Sequence, residues 1–198
     1  MNAKIGVDSL MTLEAYAKAR AEFRARVIAH KKSRTLAIGE HVTLVFEDEL
    51  TVRYQIQEML RIERIFEEAG IRAELDAYNP LVPDGDNWKA TMLIEYPAIE
   101  ERRIALAALR GIEHKVWMRI AGHAPVYAIA DEDLERTNED KTSAVHFLRF
   151  QLSAAQAGAV RADCALSAGI DHPAYNVTVE PLDAALRASL RSDMGNAP

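Results

Sequence analysis

The stretch Ala144-Val145-His146-Phe147-Leu148-Arg149-Phe150-Gln151-Leu152 alternates with a period of two. Ala144, His146, Leu148, Phe150 and Leu152 share one face, while Val145, Phe147, Arg149 and Gln151 share the other, the pattern of a strand laid on a core. Downstream, Ala154–Val160 reads as a helix, Cys164–Ile170 and Asn176–Glu180 as strands, and Leu182–Leu190 as a terminal helix, with Met194–Pro198 expected to fray. Upstream, Asp131–Asp140 is a polar, acidic connection, and Val116–Ala121 and Val126–Ala130 form a hairpin around Gly122-His123-Ala124-Pro125. Trp88–Tyr96 reads as a strand, and a helix opens at Pro97, carries Glu100 and Glu101 in its first turn and stops at Gly111. Strand, helix, hairpin, strand, helix and strand argue for an α+β fold with helices over one face of a mixed or antiparallel sheet. A ferredoxin-like split βαβ unit is the nearest named arrangement.

The first part of the chain is more helical. Residues 13–31 form a helix with Thr12 as N-cap and an apolar stripe of Leu13, Tyr16, Ala17, Phe23 and Val27. Thr35–Ile38 and Val42–Phe46 are short strands around a Gly39-Glu40 turn. Glu47-Asp48-Glu49 suits the N-terminus of a second helix, read from Leu50 to Ala69 with Gly70 as its C-cap and Arg72–Ala77 as a continuation. Tyr78–Asn87, with Asn-Pro, Pro-Asp and Asp-Gly steps, is the clearest loop and marks a soft boundary. The chain thus divides into a helical region with a short hairpin, 1–79, and an α+β sheet region, 80–198, together one compact unit, as 198 residues predict.

Net charge is −6, which argues against nucleic-acid binding. Residues 1–34 hold eight Lys/Arg and three Asp/Glu (+5), and residues 35–198 hold sixteen and twenty-seven (−11), so a basic helix precedes an acidic body. The single cysteine, Cys164, excludes an intrachain disulfide or a thiolate metal cage. The first twelve residues lack a signal-peptide pattern, and no apolar run approaches the roughly 20 residues that a membrane span needs. These features point to the cytoplasm.

Polar side chains in apolar settings are the candidate functional residues. On a second helix running to Ala69, with Glu58 at zero and about 100° per residue, Ile65, Ile62, Phe66, Met59 and Val52 cover about −20° to +120°. Glu58 and Gln55 then lie inside the apolar stripe. A carboxylate aimed at a core is costly unless it is paired, protonated or metal-bound, so Glu58 is either half of a structural ion pair or a functional group. His146 falls with the apolar set of its strand, as a hydrogen-bonded core histidine or as a ligand. His172-Pro173-Ala174-Tyr175 places His172 and Tyr175 at a strand end, as a turn or a rigid site. Glu58, His146 and His172 would make a carboxylate–imidazole set suited to iron or zinc, although their spacing is not that of a ligand motif. Lys141-Thr142-Ser143 sets hydroxyls beside His146 without the glycine elbow of a nucleophile. Gln55, Glu58, Arg61, Lys141 and Tyr175 are candidate pocket residues, and Arg20, Arg24, Arg26 and Lys31 a candidate docking face.

The chain resembles a bacterial family known only as domain of unknown function 3501. The resemblance rests on residues Phe23–Lys32, Tyr54–Arg64, Tyr78–Gly85, Asn87–Thr91, Lys141–Phe147 and His172–Tyr175, and covers nearly the whole chain. It transfers no catalytic role. It implies a role near iron or peroxide chemistry, with a rubrerythrin-like or an iron–sulfur protein as partner. Three readings result: a metal-binding or redox-accessory protein using Glu58, His146 and His172; an adaptor docking its partner through the basic helix; and a small-molecule enzyme with Glu58 as acid or base under the Tyr78–Asn87 loop. A homodimer is the base-rate expectation.

Overall fold

Alternating burial along its strands builds the main core of the molecule. The structure is a computed structural model that describes residues 4–195. Its strands are β1 (Thr35–Ile38), β2 (Val42–Phe46), β3 (Asn87–Ile94), β4 (Val116–Ile120), β5 (Val126–Tyr127), β6 (Ile129–Ala130), β7 (Val145–Gln151), β8 (Leu166–His172) and β9 (Tyr175–Val179). The helices are α1 (Leu13–Lys31), α2 (Glu49–Ile62), α3 (Glu68–Tyr78), α4 (Ile99–Ala108), α5 (Ala154–Arg161) and α6 (Ala184–Ser192).

The fold is α+β, and every strand pair is antiparallel. The strands divide between two sheets, ordered β1-β2-β3-β7-β6 and β5-β4-β8-β9, where a ferredoxin-like unit has one. The expected Val126–Ala130 strand causes this division. Val126 and Tyr127 pair with β4, then the buried Ala128 turns the chain so that Ile129 and Ala130 pair with β7 in the other sheet. Side chains from both sheets meet in one core that includes Phe46, Trp88, Met92, Met118, Phe150 and Ile170, with α6 adding Leu186 and Leu190. Trp88 Nε1 donates to Leu190 O at 3.0 Å, tying α6 to β3.

The helix expected to open at Pro97 starts at Ile99 and the terminal helix at Ala184, and the largest departure from expectation lies at the end of α2. Thr12 caps α1 as read, accepting from the Ala15 amide at 3.2 Å, and Asp48 caps α2 with a reciprocal bond from Thr51. The expected Leu50–Ala69 helix, however, stops at Ile62. Arg64 adopts a left-handed φ of 55°, and a new helix, α3, begins at Glu68. Gly70 therefore lies inside α3 rather than capping α2.

At the C-terminus, Met194 is buried and the Gly195 amide donates to Gly85 O at 2.9 Å, so the expected fraying does not begin at Met194. Residues 196–198 lie outside the described residues. The buried Arg34 fastens this end of the chain by donating to Phe46 O, Glu47 O, Ser189 Oγ and Asp193 Oδ2. Burial pushes the Asp193 carboxyl up to about 6, against the pull of Arg34.

Candidate functional site

Glu58 is half of an ion pair. Because α2 ends at Ile62, most of its buried residues, Val52, Ile56, Gln57 and Leu60, lie about 100–160° away from Glu58 around the helix, while Thr51 in the first turn lies on the Glu58 side. The supposed stripe is not a buried face: Ile62 and Phe66 are 57% and 72% exposed, and Met59 and Ile65 only half-buried. Glu58 turns instead to α1. Arg20 holds it in a fork, Nε to Oε1 and NH2 to Oε2, both at 2.8 Å, and the Tyr16 hydroxyl donates to Oε1 at 2.6 Å. Arg61 adds a longer bond of 3.4 Å. The Arg20 guanidinium, helped by Tyr16 and Arg61 and opposed by burial, brings the Glu58 carboxyl down to about 2. Burial and the Glu58 bond push the Tyr16 hydroxyl up. A carboxylate held this firmly in its charged form is a poor proton donor or acceptor near neutral pH.

His146 faces the core, as its alternation predicts, and is fully buried. Its ring joins the two ends of one loop. Nδ1 lies 2.5 Å from Asp131 Oδ2, where the loop begins, and Nε2 lies 2.8 Å from Thr142 Oγ1 and 3.1 Å from Ser143 O, where it ends. Glu113 completes the cluster by accepting from Thr137 at 2.6 Å and from Thr142 at 3.2 Å. Burial pushes the Glu113 carboxyl up, and the bonds from Thr137 and its own amide, with His146 and His114 nearby, outweigh it and leave the group below its ordinary value. The order Thr142–His146–Asp131 is that of a nucleophile, its base and an orienting acid. Thr142 is also buried, so no substrate reaches its hydroxyl.

His172 lies elsewhere, at the β8–β9 turn. Its Nδ1 accepts from the Ala174 amide at 3.2 Å, so Nε2 carries the hydrogen that reaches Arg110 O at 3.1 Å. The three proposed metal ligands thus occupy three separate settings, and among the described residues no group of three or more His, Cys, Asp or Glu could hold a metal ion.

The candidate pocket residues are also dispersed. The Tyr175 hydroxyl packs against the β1–β2 turn, donating to Ile38 O at 2.7 Å and accepting from the His41 amide. A Cβ at Gly39 would meet that hydroxyl at 2.5 Å. Lys141 is exposed at the end of the acidic loop, and Gln55 borders a small cavity with Glu47, Tyr78 and Phe147. Of the docking residues, Arg20 is engaged by Glu58, Lys31 is half-buried, and Arg24 and Arg26 are exposed, Arg26 over the Phe23 ring.

The structure instead opens a cleft between the α2–α3 pair and the outer face of the five-stranded sheet, with a volume of about 560 Å³. The Tyr78–Asn87 loop does contribute to it, through Tyr78, Pro80 and Leu81. Phe147 and Arg149 come from β7, Lys89 from β3, Met59 from α2, and Glu132, Asp133 and Arg136 from the loop that His146 pins.

Every cation in the cleft is already partnered. Arg149 forks onto Glu132 at 2.8 and 2.7 Å, and Arg136 onto Asp133 at 2.6 and 2.7 Å. Lys89 donates to Pro80 O at 2.8 Å and lies 3.4 Å from Asp84. These arginines hold Glu132 and Asp133 below the ordinary carboxylate range. Arg136 also lies over the Phe147 ring, 4.6 Å from its centre, and bonds Asp131 at 3.2 Å, linking the cleft wall to the His146 cluster. The alternation of β7 puts Phe147 and Arg149 on its outer face, which is the signal for this floor. The helix break that sets its opposite wall left no such mark.

A family model described as a protein of unknown function, DUF3501, matches residues 4–194. The chain is similar to a protein of known crystal structure from Burkholderia pseudomallei, described as a novel protein of unknown function. The two are 57% identical with a TM-score of 0.93, over 98% of this chain and 100% of that one. The search of curated proteins finds no match.

Proposed function

The chain belongs to the DUF3501 family of proteins of unknown function, and from that premise we propose that it is a small-molecule-binding protein whose site is the cleft between α2–α3 and the five-stranded sheet. The observation that carries this reading is the cleft itself. Its volume of about 560 Å³ falls in the ordinary range for ligand sites. Its lining combines apolar and aromatic side chains (Met59, Tyr78, Leu81, Phe147) with a few fixed charges, the mixture that binds an amphipathic molecule and orients it. The floor is built on strands and its charged wall is pinned from within by His146, so the site is preorganised.

Nothing in the geometry favours Glu58 as an acid or base, or a centre made from Glu58, His146 and His172. Docking of an iron–sulfur or rubrerythrin-like partner through the basic helix would fall to Arg24 and Arg26, whose side chains point to solvent.

The cleft reading is tested with the neutral fluorophore Nile red. Ala77 lines the cleft yet is exposed, so Ala77→Trp fills the cleft without disturbing a core. Nile red fluorescence is expected to rise and saturate with the wild-type protein, and Ala77→Trp to weaken binding about tenfold or more at unchanged melting temperature. Absence of binding, or binding insensitive to Ala77→Trp, overturns the reading.

A further inference from the structure

Glu47, between β2 and α2, is only 8% exposed, yet among the described residues no cation pairs with its carboxylate. Its Oε1 accepts from the Thr91 hydroxyl at 2.7 Å and its Oε2 from the Thr51 hydroxyl at 2.5 Å. Two neutral hydroxyls and the partial positive charge at the start of α2 hold it, where a buried carboxylate ordinarily meets a full cation. Asp193, by contrast, has Arg34 at 2.6 Å. The cations of this region are engaged elsewhere. Arg34 NH2 donates to the Glu47 carbonyl at 3.0 Å and not to its carboxylate, Lys89 is held by Pro80 O and Asp84, and Arg136 and Arg149 are forked onto Asp133 and Glu132. A carboxylate offers about four lone-pair directions, so after Thr51 and Thr91 each oxygen still has one to give.

A second cavity, of about 20 Å³, adjoins this carboxylate. Glu47, Thr91 and Gln55 line its polar side, and it shares Tyr78, Leu81 and Phe147 with the cleft, so it forms a recess at the cleft's inner end. About 10–15 Å³ is enough for one water, so the recess holds a head group of a single heavy atom. We propose that the cleft's ligand is a primary amine whose ammonium enters this recess and is received by Glu47, with the apolar body along Tyr78, Leu81 and Phe147. This rests on the cleft reading above and adds the class and orientation of the ligand. Size and charge choose the head together. A carboxylate or guanidinium head, with three or four heavy atoms, is too large, and the carboxylate also meets a like charge. A hydroxyl head fits but brings no charge. An ammonium fits, supplies the cation that Glu47 lacks, and has three donors to share between Glu47 and the oxygens of Gln55 and Thr91.

The test uses four probes with one hexyl chain and different heads: hexylamine, 1-hexanol, hexanoate and hexyltrimethylammonium. Each is titrated at neutral pH, where the amine is charged, against the wild-type protein with bound Nile red. Hexylamine is expected to displace the dye at a concentration about tenfold lower than 1-hexanol, and hexanoate to be the weakest. Hexyltrimethylammonium carries the same charge as hexylamine but has a head of four heavy atoms beyond the chain and no N–H, so it is expected to do no better than 1-hexanol. Two substitutions then probe the recess. Glu47→Gln keeps the shape and removes the charge. Gln55→Trp closes the recess from an exposed position on α2 that does not line the cleft. Each is expected to bring hexylamine to the level of 1-hexanol, with Nile red binding unchanged.

Hexyltrimethylammonium matching hexylamine overturns the proposal, because the charge would then be sensed outside the recess. Equal displacement by all four probes, displacement by none, or tighter binding of hexanoate overturns it as well, as does an amine advantage that survives either substitution. Should Glu47→Gln fail to fold, Gln55→Trp decides alone. In each of the overturning cases a dye signal that remains sensitive to Ala77→Trp leaves the cleft reading standing. Absence of Nile red binding by the wild-type protein removes both.

Discussion

The two-sheet body and the N-terminal helical layer achieve burial by different means. Among the described residues, 28 buried apolar side chains form one continuous core between the sheets, whereas the helical layer holds separate clusters of six and three. A large core fixes its elements by shape alone, since close packing leaves few alternative arrangements. Small clusters do not, and the helical layer supplements them with directional bonds between elements. Glu58 joins α2 to Tyr16 and Arg20. Gln57 accepts from the Met11 amide and donates to Met11 O, and Asn79 makes the same two bonds with Ile5. In this layer a buried polar side chain is a fastener. In the sheet body the equivalent oddity, His146, serves a loop instead, and that loop walls the cleft.

The comparison is put to its hardest test by truncation in each region. Phe150→Ala removes a fully buried ring from the continuous core and is expected to cost about 3–5 kcal/mol. Leu75→Ala acts in the six-residue cluster, where neighbours on two short helices can close the gap, and is expected near the lower limit of about 2 kcal/mol. Urea unfolding midpoints with unchanged slopes give both values. Equal losses would mean that the helical layer is as tightly packed as the sheets.

His146→Leu sharpens the second half of the comparison. Leucine restores most of the volume, so the cost comes from the stranded partners, Asp131 Oδ2 and Ser143 O, at about 1–3 kcal/mol for each buried group left unmet. Because those partners are the two ends of one loop, amide protection should fall first across residues 131–143, with β7 and β3 still protected. A uniform loss of protection over the whole molecule would show that His146 serves the core and not the loop. Nile red binding should weaken with it, since Glu132, Asp133 and Arg136 ride on that loop.

Much of this was legible in the sequence where a pattern is local. The strands Thr35–Ile38 and Val42–Phe46 appear with the bounds their turn residues predict, and the alternation of 144–152 places His146 inward and Phe147 and Arg149 outward. The failures come where a local pattern runs on past a tertiary event. Ile65 and Phe66 continue a helical rhythm, yet Arg64 breaks the helix ahead of them, so the stripe drawn through them pointed the wrong way and made Glu58 look core-facing. The residues that do face inward, Ile56 and Leu60, lie on the opposite side. Val126–Ala130 reads as one strand because nothing local distinguishes Ala128 as the crossing between sheets. The cleft depends on both events, the break that folds α3 back beside α2 and the acidic loop that closes on His146 from residues far apart in sequence. Its charged lining was therefore visible only as polar surface.

The remaining prediction concerns Glu58, and it separates fastening from function. Its carboxyl is lowered from an ordinary 4.5 to about 2 by Arg20 first, with Tyr16 and Arg61. A carboxyl that binds its proton more weakly when folded contributes stability above pH 4.5, and that contribution is lost as pH falls through about 2. The wild-type protein should therefore lose stability over that window, and Glu58→Gln, which cannot ionise, should show a flatter profile there while being less stable than wild type at neutral pH. Urea midpoints at a series of pH values measure both. Nile red binding should stay at the wild-type level, because Glu58 faces α1 and does not line the cleft. A Glu58→Gln protein that keeps its fold but loses binding would place Glu58 back among the functional residues and would join the two regions that the structure holds apart.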